Sequence, residues 1–217
     1  MTIEEFPLFT AIKDQDLNEC IKVVEYGYNV NYVDKNGISS LMLACINDNF
    51  SIVEFLVNSG AKVNAKDNQG VSSLMYACAK GKLQIVEFLL DKRANINDKN
   101  NWGYNCLMTA CSYNHLPIVE FLLDKGANIE DTNNNGQTAL DIAASKNNEE
   151  IVDVLKNWSL TMGLVINKKL NSPLDAGNQM DLSEYLGVRK PIGGKKSKKK
   201  KKKSKKSKKK KSIKRRK

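Results

Sequence analysis

The chain has 217 residues, 41% of them hydrophobic, and a formal charge of +11. That is enough chain for one large or two small domains, and no apolar run approaches the roughly 20 residues a bilayer-spanning helix needs. The charge is divided: Lys195 to Lys217 hold 18 Lys or Arg and no acid, which leaves 17 basic against 24 acidic residues, a net −7, for everything before them. The first residues, Met1-Thr2-Ile3-Glu4-Glu5-Phe6, pair no basic segment with an apolar one, so no signal peptide is expected. Neither end carries a lipidation box.

From residue 34 onward the sequence repeats every 33 residues. Gly37, Gly70, Gly103 and Gly136 keep this step, as do Leu41, Leu74, Leu107 and Leu140, and Ala44, Ala77, Ala110 and Ala143. Val53, Val86, Val119 and Val152 follow it, and so do Leu56, Leu89, Leu122 and Leu155. Self-similarity at this period marks a solenoid of stacked helical units. In the unit 34–66, Asp34 to Gly37 reads as a turn, and Ser39 can cap the helix that follows. Leu41, Ala44 and Cys45 share one face of that helix. Asn47-Asp48-Asn49 breaks the pattern, and Ile52, Val53, Phe55 and Leu56 form a second apolar stripe that Gly60 ends. Helices this short are marginal alone, so each unit must bury its stripe on the next.

Units 67–99 and 100–132 copy this plan, residues 133–158 keep most of it, and 1–33 give a divergent first unit with Pro7-Leu8-Phe9-Thr10-Ala11 and Gly27-Tyr28-Asn29-Val30-Asn31. Of the five cysteines, Cys45, Cys78 and Cys111 are 33 apart, while Cys106 and Cys20 take the places of Ser40 and Val53. Cysteines in step with a packing period read as small buried residues. With no C-x-x-C pair and His115 the single histidine, neither disulfide nor zinc site is expected. An odd number of reduced thiols fits an intracellular protein, in nucleus or cytoplasm, and the Lys-rich run favours the nucleus.

The unit resembles the ankyrin repeat, whose pattern runs roughly D-x-x-G-x-T-P-L-H-x-A-A, a short break, then x-I-V-x-x-L-L-x-x-G-A-x-x-N. The resemblance covers residues 1–158. It implies an all-α solenoid of helix-turn-helix units with short β-turn or hairpin loops, five repeats at 1–33, 34–66, 67–99, 100–132 and 133–158. A capping segment and linker at 159–194 and a disordered Lys-rich tail at 195–217 then follow. The usual Pro of T-P-L-H is Ser40, Ser73, Cys106 or Ala139, and the usual His is Met42, Met75, Met108 or Asp141. Arg93 stands where Gly60 and Gly126 stand, at a helix end that favours a left-handed residue. Trp158 and the run Leu160 to Ile166 are candidates to seal the last unit. The abundant asparagines look like the bias of an AT-rich genome, and the whole is similar to the multi-gene ankyrin proteins of giant viruses, amoebae and protists.

Ankyrin proteins commonly bind a protein partner on the concave side, through turn tips and the exposed face of the first helix. Carried onto this chain, those places include Lys35, Asn36, Ile38, Ile46 and Asn47 in the second unit, and Asn68, Gln69, Val71, Ala79 and Lys80 in the third. They include Asn101, Trp102, Tyr104, Ser112 and Tyr113 in the fourth, and Asn134, Asn135, Gln137, Ser145 and Lys146 in the fifth. Three aromatics fall in one unit, and Trp and Tyr dominate binding hot spots. Trp102 replaces Asn36, Gln69 and Asn135 for no packing reason the sequence reveals. Either Trp102, Tyr104 and Tyr113 form a contact patch, or Trp102 folds back onto a neighbouring turn. His115 lies in the break between helices and reads as a turn-stabilising residue. No glycine-rich phosphate loop, metal cluster or triad-like grouping appears, so no enzyme, cofactor or metal is expected.

After Ser159 the period is lost. Residues 167–194 read as linker, within which Asp181 to Gly187 forms either an incidental helix or a docking peptide. The tail carries Lys195, Lys196, Lys198, Lys199, Lys200, Lys201, Lys202, Lys203, Lys205, Lys206, Lys208, Lys209, Lys210, Lys211, Lys214, Arg215, Arg216 and Lys217. Like charges with nothing apolar to bury do not fold alone. Such a run serves nuclear import, phosphate contacts with RNA or DNA, acidic lipid heads, or plain solubility. The expectation is a monomeric interaction module with a targeting or anion-binding tail. The alternative is a nucleic-acid-associated protein in which the tail does the main binding and the repeats recruit a protein.

Overall fold

The chain divides into two units, Met1–Asn171 and Ser172–Lys217. The computed structural model describes residues 7–171, and side chains up to residue 162. The linker, the Asp181–Gly187 segment and the Lys-rich tail lie outside the described residues.

A seven-residue helix followed by a nine-residue helix recurs down the first unit. The pairs are α1 Pro7–Lys13 with α2 Leu17–Glu25, α3 Ser40–Ile46 with α4 Phe50–Asn58, α5 Ser73–Ala79 with α6 Leu83–Asp91, and α7 Cys106–Ser112 with α8 Leu116–Asp124. The last pair is α9 Ala139–Ser145 with α10 Glu149–Asn171, whose second member runs 23 residues. Among the described residues there is no strand; two isolated bridges, Val33 with Ser39 and Lys66 with Ser72, close the turn loops.

The starts of the first helices are set by side-chain caps. Ser39, Ser72, Asn105 and Thr138 each hold an extended backbone, and each side chain accepts the N–H of the third residue on, at Met42, Met75, Met108 and Asp141. Asp16 and Asn49 do the same for α2 and α4. Left-handed residues fix the helix ends in two series. Gln15, Asp48, Gly81, Asn114 and Asn147 turn the chain between the helices of a unit. Gly27, Gly60, Arg93 and Gly126 follow each second helix from α2 to α8, Arg93 at φ +65°.

The first helices α1, α3, α5, α7 and α9 pack side by side in one row, and α2, α4, α6, α8 and α10 form the second. Leu41, Ala44 and Cys45 are buried as their helical spacing requires, together with Ile52, Val53 and Leu56, and the equivalent residues of later units continue the same core. Met42, Met75 and Met108 are buried too, filling that core where the repeat pattern has His. The hydroxyls of Ser40 and Ser73 are buried with no partner, at the place taken by Cys106 and Ala139 in later units. In α10, Ile151 and Leu155 are buried and Trp158 packs against the core, whereas Leu160 and Met162 are exposed.

All five cysteines are buried and free. Burial pushes the Cys20 thiol up to about 11 and the Cys111 thiol up to about 12. It also raises Cys45 and Cys78 well above the usual thiol range, Cys106 adding to the effect at Cys78. The thiols of Cys20, Cys45, Cys78 and Cys111 stay protonated and inert near neutrality.

Candidate functional site

The surface built by the turns and the first helices rests on one repeated device. In each turn an Asp or Asn carboxylate or amide oxygen accepts two backbone N–H groups. Asp34 takes those of Asn36 and Ile38, and Asp67 those of Gln69 and Val71. Asn100 takes those of Trp102 and Tyr104, and Asn133 those of Asn135 and Gln137. The glycine at each tip donates back to the carbonyl of the same Asp or Asn. Both groups lock the turn, because Asx side chains mimic a backbone turn.

Successive turns are then fastened to one another. Backbone N–H groups of Asn68, Asn101 and Asn134 donate to the carbonyls of Asn36, Gln69 and Trp102. Their Nδ2 groups donate to the carbonyls of Lys35, Asn68 and Asn101. A Cβ on Gly70 would lie 2.6 Å from the Asn101 Oδ1 and 3.1 Å from its N, so the close approach needs glycine there. A second ladder joins the loops that follow the second helices. Asn31 and Asn64 each donate to a carbonyl of the next unit, Gly60 or Arg93, and each accepts an N–H from Lys62 or Asn95. Asn97 accepts the N–H of Asn128.

On this frame Asn36, Gln69, Trp102 and Asn135 occupy the same exposed place in four turns. The row of first-helix C-caps reads Asn47, Lys80, Tyr113, Lys146. The two rows bring aromatics together only in the fourth unit among those described. There Trp102, Tyr104, Ser112 and Tyr113 line a depression of about 230 Å³ with Thr109. Trp102 is 51% exposed and Tyr113 61%. Tyr104 and Ser112 are half-buried. Asn36 and Gln69 line a separate depression of about 340 Å³ with Asp67 and Tyr76. Val71 is half-buried against the core, and Asn101 is engaged in fastening turns. Lys80, Lys146 and Asn135 are exposed to either side of the aromatic group.

The Tyr113 ring stacks on His115, centroids 6.4 Å apart at 11°. Nε2 of His115 lies 3.0 Å from the Ala79 carbonyl oxygen in the unit before. The imidazole fills the space beside Gly81, where a Cβ would approach it to 2.7 Å. His115 thus spans two units, and Asn148 repeats the bridge one unit on by donating to Cys111 O at 2.7 Å. Tyr76 donates to Asp67 Oδ2 at 2.7 Å. Burial, and then that carboxylate, hold its phenol well above the usual range.

The asparagine bridges were missed as functional elements of the sequence, although their signal was present: Asn31, Asn64 and Asn97 keep the 33-residue step, as do Asn68, Asn101 and Asn134. Thr109, which completes the aromatic depression, had no such signal, since its equivalents are Leu43, Tyr76 and Ile142. Among the described residues no group of His, Cys, Asp or Glu is placed to hold a metal ion, and no helix is long and apolar enough to cross a membrane. A family model described as ankyrin repeats (3 copies) matches residues 8–100 and again 74–167. No curated protein matches the chain.

Proposed function

The chain belongs to the ankyrin-repeat family, a family of protein-interaction modules, and on that premise we propose that it is a non-enzymatic adaptor or scaffold that grips a protein partner with its turn tips and first helices. The observation that carries the reading is the aromatic depression of the fourth unit, where Trp102, Tyr104 and Tyr113 expose area on a rigid frame. Such residues lose little conformational freedom on binding and keep a polar handle. Asn36, Gln69, Val71, Lys80, Asn101, Ser112, Asn135 and Lys146 supply the surrounding polar surface. Affinity capture with residues 1–170 tests this. Changing Trp102, Tyr104 and Tyr113 to Ala is expected to weaken capture by about 2 kcal/mol or more while the protein stays folded. Full capture by the folded variant removes the reading.

The 18 basic residues of the tail support a role in location, through nuclear import machinery or another anionic partner. The same charge favours a second reading, in which the tail grips RNA or DNA phosphates and the repeats recruit a protein. A tail making about eight phosphate contacts loses on the order of 10³–10⁵ in affinity between 50 and 200 mM salt. Removing residues 195–217 separates the two: loss of localisation with partner capture intact supports the first, and loss of all binding supports the second.

A further inference from the structure

Tyr113 sits in the C-cap row with a lysine at the equivalent place in the unit on each side, Lys80 before it and Lys146 after it. Both lysines are exposed, and among the described residues neither has an ion-pair partner. That distinguishes them from Lys66, Lys82 and Lys99, whose Nζ atoms lie 3.4, 2.6 and 3.4 Å from Asp98, Asp48 and Asp131. A carboxylate in the same unit as each lysine is hydrogen-bonded within its own turn or cap. Asp67 accepts from two backbone N–H groups and from the Tyr76 hydroxyl, and Asp141 from the N–H and hydroxyl of Thr138. An aromatic depression flanked by two unneutralised cations therefore stands on a body whose charge up to residue 194 is −7.

Resting on the adaptor reading, we infer that the partner presents an acidic, extended protein segment, with an apolar side chain seated between Trp102, Tyr104 and Tyr113 and carboxylates on Lys80 and Lys146. Packed helices lie about 10 Å apart, so each lysine is about 10 Å from Tyr113 along the row. An extended chain of polyproline-II form covers that in about three residues and brings every third side chain back to the same face. The matching pattern is acid-x-x-apolar-x-x-acid. A single-stranded nucleic acid laid along the same path would bring more phosphates than two lysines can match.

Fluorescence anisotropy with the full-length chain tests this, using a labelled heptapeptide with Glu at both ends and Phe at its centre. A scrambled isomer with the two Glu adjacent has the same charge, so the Lys-rich tail binds both alike. The patterned peptide is expected to bind at least about tenfold tighter than the scrambled one. The Lys80→Glu/Lys146→Glu variant is expected to lose that preference and to favour a peptide with Lys at both ends. Equal binding of patterned and scrambled peptides overturns the inference, as does a folded double variant that keeps the acidic preference, or an oligothymidylate that displaces the peptide equally from the intact protein and from protein lacking residues 195–217. If Trp102→Ala weakens partner capture while the charge reversal does not, the adaptor reading stands and the acidic segment falls. If neither change weakens capture, both fall.

Discussion

Arg93 holds φ +65° at the position where Gly27, Gly60 and Gly126 hold the same left-handed turn. Its N–H donates to Leu90 O and its carbonyl accepts from Asn64, so the conformation is fixed from both sides. A side chain with a Cβ costs about 1 kcal/mol in this region. Arg93 is exposed, so replacing it forfeits little packing. Arg93→Gly is expected to stabilise the repeats by up to about 1 kcal/mol, raising the thermal midpoint by roughly 2–4 °C for a domain of this size; an unchanged or lower midpoint in differential scanning calorimetry contradicts the strain. This position was legible because glycines at the same phase betray what the backbone needs. The other left-handed series was not, because Gln15, Asp48, Gly81, Asn114 and Asn147 differ in type. There the reason is local: Gly81 is glycine because His115 from the next unit occupies the space a side chain would take.

At the scale of elements, helix positions were readable from the apolar period and their starts from Ser39 and its equivalents, because caps and stripes act within one unit. The bonds between units were not, because a donor and acceptor 31 or 33 residues apart leave no local pattern: Asn31 and Asn64 keep the repeat step without showing what they bond, and Asn68, Asn101 and Asn134 read as partner-facing turn positions. Asn101 illustrates the difference. Its Nδ2 donates to Asn68 O, and its backbone N–H to Gln69 O. Asn101→Ala removes the first and keeps the second, at an expected cost of about 0.5–1.5 kcal/mol in urea unfolding. Asn135 is equally exposed but its side chain fastens no other turn, so Asn135→Ala should stay within about 0.5 kcal/mol of the parent. Equal effects of the two substitutions contradict a stabilising role for the ladder. The extent of α10 was also hidden: the period is lost after Ser159, yet the helix continues to Asn171, with Gly163 inside it and no proline to stop it.

Over the whole first unit, the main contacts of each repeat among the described residues are with its neighbours, so the stability of each turn depends on whether another follows it. Among the described residues the turn at 133–136 is the last of these. The first of the two asparaginyl-glycine pairs in the described chain, Asn36-Gly37, belongs to a turn clasped by Asn68 through both its backbone N–H and its amide. The second, Asn135-Gly136, belongs to the terminal turn, and a Cβ built on Gly136 meets nothing within 4 Å. Deamidation requires the glycine nitrogen to leave its carbonyl acceptor and attack the asparagine Cγ, expelling ammonia; water then opens the cyclic imide to aspartate or isoaspartate. Of these two pairs, Asn135-Gly136 is therefore expected to deamidate first. Peptide mapping of stored material should find isoaspartate accumulating at 135 well ahead of 36, and the carboxylate so formed lies one repeat from Trp102, where it would repel an acidic guest.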